Sequence, residues 1–177
     1  MKKLLLSKTL CFALMTVSLS SWSQATEPPV QQWNELLLEA IRNDLARPNV
    51  HARNLHHFST GQYALQLLTE GQDGTSADGN VMWPSIPGSI GTWTANTDEY
   101  RDMMATYAYR FIALRYAAAP GWSETVAALN AAFVSTTGTT PNVLLNGSAA
   151  AAFGFDIANA INAVSYTHLR AHETFHD

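Results

Sequence analysis

The sequence predicts an all-α fold, built as an incomplete helical bundle of about five helices after a cleaved signal peptide. Three observations support this class. Apolar residues recur at helical spacing in successive segments. No segment shows the strict alternation of apolar and polar residues that is typical of a half-buried strand. Hydrophobic residues make up 47% of the 177 residues and charged residues only 14%, which is enough apolar material for one packed domain.

Residues 1–25 have the features of a secretory signal peptide. The basic start comprises Lys2, Lys3 and Lys8. A short apolar stretch follows, and Ser23-Gln24-Ala25 offers a small-x-small cleavage site. Because the apolar stretch is much shorter than the roughly 20 residues that span a bilayer, we expect cleavage rather than an uncleaved membrane anchor. The mature chain would then have no membrane span, would lack the single cysteine, Cys11, and would be periplasmic or secreted from a bacterium.

The first two predicted helices lie on either side of a proline. The apolar face of the first comprises Trp33, Leu37, Ile41 and Leu45. We expect this helix to end at Arg47-Pro48, because the residue before a proline avoids the helical conformation. A second helix is predicted over 50–68, and its expected core residues are Leu55, Phe58, Leu65 and Leu68.

Residues 70–97 are rich in glycine, proline, aspartate and serine, which predicts a long loop. It carries Trp83 and Trp93, so we favour packing over neighbouring helices. Asp73, Asp78 and Asn80 do not have EF-hand spacing, so calcium binding is not expected. The glycines match neither a phosphate loop nor a dinucleotide fingerprint.

The third predicted helix is the clearest. Thr97 can cap it, and two acidic residues lie in its first turn. Its expected core stripe comprises Tyr100, Met103, Met104, Tyr107, Phe111, Leu114 and Ala118. Ala119-Pro120-Gly121 should end the helix.

Two further helices are predicted downstream. The apolar residues of the fourth are Val126, Leu129 and Phe133, and a loop over 136–141 follows. The fifth covers 148–164, with Phe153, Ile157, Ile161 and Val164 on one side. Small residues at 149–152 and at Gly154 should allow a neighbouring helix to approach closely.

Stretches within 33–59 carry a family resemblance. They read WNE at 33–35, AIR at 40–42 and ARPNVHARNLHHFS at 46–59. The pattern resembles the opening of bacterial vanadium-dependent haloperoxidase-like proteins, which belong to the type-2 phosphatidic acid phosphatase superfamily. The likeness resumes at 108–116, 127–129 and 147–164, and so spans roughly 30–164. Residues 61–64 match only half of the family's small-Met-Tyr-Asp-Ala segment.

The resemblance implies that 26–164 is the N-terminal helical part of an exported enzyme that oxidises halide with peroxide. An acid-phosphatase-like phosphomonoester hydrolase of the same superfamily is the first alternative, and a non-catalytic exported helical binding module is the second. In the family, a lysine and an arginine, a Ser-Gly-His segment and a later arginine with a histidine six residues on surround vanadate or phosphate. Several fixed cations are what a multiply charged oxyanion requires.

None of those residues can be placed here. No lysine follows Lys8, and Ser-Gly-His does not occur. Arg170 and His176 have the right separation but lack the accompanying serine and glycine. We therefore assign no catalytic, cofactor-binding or metal-ligating residue to this chain and expect it to be inactive. Vanadate and the small-molecule substrate are implied for the full-length parent alone.

Residues 165–177 differ from the helical body. They resemble a tail found on many unrelated proteins, where it looks like translated sequencing adapter, so we expect them to be non-native. The tail includes an H-E-x-x-H zinc-protease pattern at 172–176. Zinc hydrolysis is not expected, because the motif stops one residue before Asp177 and no third ligand follows.

The remaining histidines favour packing over ligation. His56 and His57 are adjacent, so they should point to different sides of a helix. His51 could join Arg47 and Arg53 in a small cationic patch, although a packing or capping role is favoured. A formal net charge of −4 does not indicate a nucleic-acid binder. The oligomeric state stays open.

Overall fold

In the computed structural model the described residues are 29–45, 47–69 and 97–173. The predicted all-α class is confirmed, since these residues form helices and contain no strand. The six helices are α1 Pro29–Asp44, α2 Pro48–Thr69, α3 Thr97–Tyr116, α4 Trp122–Thr137, α5 Pro141–Gly147 and α6 Ala149–Glu173. The predicted signal peptide, the predicted loop and the side chains of Leu68 and Val164 lie outside the description. No helix within it is long and apolar enough to cross a membrane.

Helix α3 lies at the centre of the bundle and contacts every other described helix. Burial extends around the whole helix between Met103 and Ala108 and continues at Phe111, Ile112 and Tyr116. A helix that is covered on all sides is a core helix rather than an amphipathic surface helix. The predicted stripe is therefore too narrow, and its member Leu114 is only half-buried. The assignment of Ala118 to the stripe is wrong, because α3 ends at Tyr116 and Ala118 lies exposed in the following turn.

Helix α1 buries Trp33, Leu37 and Ala40 against the core, and Ile41 packs at its edge. The assignment of Leu45 to this face is wrong. The helix ends at Asp44, and Leu45 is 82% exposed with a φ of 56°. A residue in the left-handed region ends the helix and turns the chain away from its axis, so the side chain leaves the apolar face.

Helix α2 begins at Pro48, where the ring's fixed φ suits the first helical turn. Phe58 and Leu65 are buried as predicted. The assignment of Leu55 to the core is wrong, because it is 37% exposed. Its neighbour Asn54 occupies the buried face instead, which helical periodicity in apolar residues alone does not reveal.

The turn between α4 and α5 is shorter than predicted. Helix α4 buries Leu129 and Phe133 and runs to Thr137, where Gly138 adopts a φ of 73° at the C-cap. This is a conformation that glycine takes without strain. Helix α5 was not predicted, because an element from Pro141 to Gly147 is too short to show periodicity.

Helix α6 packs closely along α3, as the small residues predict. A Cβ at Gly154 would overlap Met103 O and lie 2.9 Å from Met103 C. Phe153, Ile157 and Ile161 are buried on the same helix. The predicted end at 164 is wrong, since α6 continues to Glu173. Residues 165–173 contain neither proline nor glycine, so nothing in them stops the helix. The origin of 165–177 stays a prediction.

Candidate functional site

A partly buried polar cluster lies where α2 meets the C-terminal end of α3. It comprises Asn54, His57, Arg115 and Tyr116, and we call it the Asn54 cluster. Asn54 Nδ2 donates a hydrogen bond to Tyr116 Oη at 3.0 Å, and Arg115 Nη1 donates to Asn54 Oδ1 at 3.3 Å. Arg115 Nη2 lies 3.4 Å from His57 Nδ1, which accepts in the tautomer that carries its proton on Nε2. One side chain, Asn54, thus connects the arginine and the tyrosine.

Helical spacing explains how α2 contributes two members. Asn54 and His57 are three residues apart and so lie on neighbouring parts of one helix face. His56 is exposed, whereas His57 is half-buried, which confirms that the adjacent histidines face different surroundings. Their rings are 5.9 Å apart and inclined by 50°.

Aromatic side chains pack beside the Asn54 cluster. Tyr107 stacks on Phe58 with ring centres 5.5 Å apart and donates a hydrogen bond to Phe58 O at 2.9 Å. The Arg115 guanidinium lies 5.2 Å from the centre of the Phe111 ring. Gly61 makes room for Tyr107, because a Cβ at this position would overlap the phenol and lie 2.5 Å from Ile161 Cδ1.

Burial keeps the two phenols neutral. It raises the pKa of Tyr107 well above its usual value, with the nearby Arg115 charge acting in the opposite direction. Burial also raises the pKa of Tyr116, and the hydrogen bond from Asn54 opposes that shift. Both hydroxyls therefore act as hydrogen-bonding groups near neutral pH rather than as bases.

The Asn54 cluster fits a structural role better than oxyanion binding. It supplies one permanent cation, Arg115, which is engaged with Asn54 and His57. A multiply charged oxyanion would need several cations directed at one point. Elsewhere, Arg42 pairs with Glu39, and Arg101 pairs with acidic neighbours on its own helix. Across the described ranges, no three His, Cys, Asp or Glu side chains could hold a metal ion.

The suggested patch of His51, Arg47 and Arg53 stays a prediction. Arg47 is exposed, while His51 and Arg53 are half-buried. Residues 51 and 53 are two positions apart on α2 and so point to different sides. Asp73, Asp78 and Asn80, which were not expected to bind calcium, lie outside the described residues. So do residues 174–176 of the zinc-protease pattern. His172 and Glu173 lie in α6, and their side chains are likewise not described.

Sequence reasoning missed a cleft between α3, α4, α5 and the start of α6. Its volume is about 480 Å³, and we call it the Arg110 cleft. The residues that line it include Thr106, Tyr109, Arg110, Asn130, Phe133 and Phe155. An arginine in the middle of an otherwise apolar and neutral helix segment was the available signal, since such a charge needs a partner or a route to solvent.

No family model, curated protein or solved structure matches this chain.

Replacing Asn54 by alanine should lower the free energy of unfolding by about 1–3 kcal/mol, because Tyr116 and Arg115 each lose a buried hydrogen-bond partner. Urea denaturation of the purified chain would measure this. The control is Asn49→Ala, an exposed position on the same helix that should change stability by no more than about 0.5 kcal/mol. Combining Asn54→Ala with Tyr116→Phe should cost less than the sum of the two. Strict additivity would mean that the two side chains do not interact.

Proposed function

We propose that this chain is the N-terminal helical part of an exported vanadium-dependent haloperoxidase-like enzyme, in which residues 26–164 are scaffold rather than reaction centre. One observation carries the proposal. Two of the stretches with the family pattern, 46–59 and 108–116, meet in the Asn54 cluster. Asn54 and Tyr116 are 62 positions apart in the sequence and are joined by a direct hydrogen bond. If the family pattern reflects the packing of two helices, its stretches that are distant in the sequence are expected to contact each other in the fold.

Two further features support this assignment. The family's fold is all-helical, as is the described part of this chain. Gly61 stands where the family has a small residue, and a side chain there would strike Tyr107. The small residue thus has a packing reason that is independent of the resemblance.

The proposed reaction of the parent enzyme depends on a bound vanadate ion. Vanadate bound by several cations and hydrogen-bond donors would activate peroxide for attack by halide. This chain has no lysine beyond Lys8 and no Ser-Gly-His segment. Its single engaged guanidinium in the Asn54 cluster cannot balance such an ion. The proposal therefore places vanadate on residues of the parent that this sequence does not contain.

The same oxyanion pocket could hydrolyse a phosphate monoester, so a phosphatase is the alternative within the superfamily. The two chemistries share their cationic ligands and differ in whether peroxide or water reacts at the bound centre. Halide oxidation is the leading proposal, because the haloperoxidase-like members carry the 46–59 pattern.

The test begins with the intact genomic locus, read without sequencing adapters beyond codon 164. We expect an open frame that encodes the lysine and arginine, the Ser-Gly-His segment and the spaced Arg/His pair. The encoded protein and the present chain would then be assayed for vanadate-dependent bromide oxidation and for hydrolysis of p-nitrophenyl phosphate. We expect the encoded protein to oxidise bromide and the present chain not to do so. If the encoded protein hydrolyses p-nitrophenyl phosphate without oxidising bromide, the phosphatase is favoured.

Two outcomes would overturn the proposal. One is a genomic stop codon directly after Asp177, because the natural protein would then lack the oxyanion ligands. The other is tight vanadate binding or turnover by the present chain. A monodisperse chain that melts cooperatively and whose locus encodes that stop would favour the non-catalytic module.

A further inference from the structure

The Arg110 cleft has the size and walls of a small-molecule site. Its volume of about 480 Å³ falls within the roughly 300–1,000 Å³ of ligand pockets. Aromatic and aliphatic side chains dominate its lining: Tyr109, Phe133, Val134, Leu145 and Phe155. Such walls favour an apolar or aromatic ligand body.

Arg110 is the charged residue of this lining, and no described carboxylate lines the cleft with it. Its Nε donates to Asn159 Oδ1 at 3.0 Å, and its guanidinium carbon lies 4.5 Å from the centre of the Phe155 ring. These contacts hold the guanidinium plane in place. The two terminal nitrogens have no hydrogen-bond partner within the described residues, so their donors are available to a ligand.

Thr106 is a second polar residue in the wall of the cleft. It lies one turn before Arg110 on α3, lines the same cleft and is 2% exposed. Its buried Oγ1 has no hydrogen-bond partner in the part of the chain that is described. A buried helical threonine commonly donates to the carbonyl four residues earlier, and a buried hydroxyl without a partner is costly.

The neighbouring polar groups add no charge. Tyr109 donates a hydrogen bond to Asn130 Oδ1 at 3.0 Å. Burial raises the pKa of Tyr109, so its phenol stays neutral. The cleft thus combines one fixed cation with largely apolar walls, and one wall contains a buried hydroxyl without a described partner.

We infer that the Arg110 cleft binds a small organic monoanion, with a carboxylate on Arg110 and an apolar or aromatic body against the cleft walls. The guanidinium matches a carboxylate because its parallel N–H groups pair with two oxygens. One cation balances one negative charge, which favours a monocarboxylate over a phosphate dianion. This site is separate from the oxyanion centre proposed for the parent enzyme and is present in the chain itself.

The experiment uses the purified full chain and three probes of matched chemistry. These are 3-phenylpropionate, its neutral amide and inorganic phosphate, titrated by calorimetry and by amide NMR shifts. We expect 3-phenylpropionate to bind about tenfold more tightly than the amide, because the amide loses the charge-assisted pair. Phosphate should not bind, and the shifted amides should cluster around Thr106 and Arg110.

Matched variants assign the binding to this cleft. Arg110→Met should weaken 3-phenylpropionate about tenfold and leave the amide's affinity unchanged. Thr106→Val keeps the side-chain shape, removes the hydroxyl and should weaken the carboxylate by a smaller factor. Arg42→Met is the control, because Arg42 is exposed, is paired with Glu39 and does not line the cleft.

The inference is overturned if 3-phenylpropionate fails to bind at millimolar concentration. Equal affinity for the carboxylate and the amide would also overturn it, as would shifts confined to other helices. If Arg110→Met does not fold, the Thr106→Val titration and the NMR map decide the question on folded protein.

Discussion

Replacing Trp33 by alanine is expected to lower the free energy of unfolding by about 3–5 kcal/mol. Trp33 is fully buried, and its ring meets Phe133 edge-on at 6.5 Å between ring centres, which joins α1 to α4. Truncation removes a large apolar surface and leaves a cavity that rigid neighbours cannot fill. Single domains are stable by only about 5–15 kcal/mol, so much of the folded population could be lost on warming.

A milder substitution separates packing from hydrogen bonding. Trp33→Phe should cost clearly less than Trp33→Ala, because Trp33 Nε1 is buried without a described partner and its loss removes an unsatisfied donor. Val143→Ala is the control at a residue that is 62% exposed, with an expected change within about 0.5 kcal/mol. Urea denaturation monitored by far-UV circular dichroism measures all three. A Trp33→Ala variant as stable as the control would show that α1 does not pack as described.

Replacing Gly154 by alanine should destabilise the chain by about 1–3 kcal/mol, although alanine ordinarily stabilises a helix relative to glycine by up to about 1 kcal/mol. The reason is contact with backbone. The new Cβ would overlap Met103 O and lie 3.0 Å from Met103 Cα, and these atoms cannot rotate away as a side chain does. The two helices would have to separate along their contact.

The sign of this effect makes the test decisive. Gly147→Ala is the matched control, because a Cβ at Gly147 meets nothing within 4 Å. It should leave stability unchanged or raise it slightly. The melting temperature of Gly154→Ala should therefore fall below that of the unsubstituted chain, whereas that of Gly147→Ala should stay the same or rise slightly. An increase in melting temperature for Gly154→Ala would contradict the close packing of α6 on α3.

Local patterns in the chain account for most of the helices and for part of the core. Trp33 and Leu37 on α1, and Ile157 and Ile161 on α6, recur at the spacing of one helix face, and each is buried. Proline and glycine marked helix ends only approximately: the first helix ends at Asp44, before the predicted Arg47-Pro48, and α3 ends at Tyr116, before the predicted Ala119-Pro120-Gly121. The Arg110 cleft was harder to predict from the sequence. Arg110 and Thr106 did not attract notice, since a lone arginine on a helix is ordinarily a solvated charge.

The sequence alone predicted the all-α class, the main apolar faces and room for a neighbouring helix beside Gly154, because helix formation depends on backbone preference and on a period of 3.6 residues and small side chains leave space. Tertiary packing settled which side chains are covered. It buried Asn54 and exposed its apolar neighbour Leu55, and it brought Asn54 to Tyr116 across 62 positions. Burial depends on which neighbouring helix covers a face, and a local pattern contains no information about that neighbour.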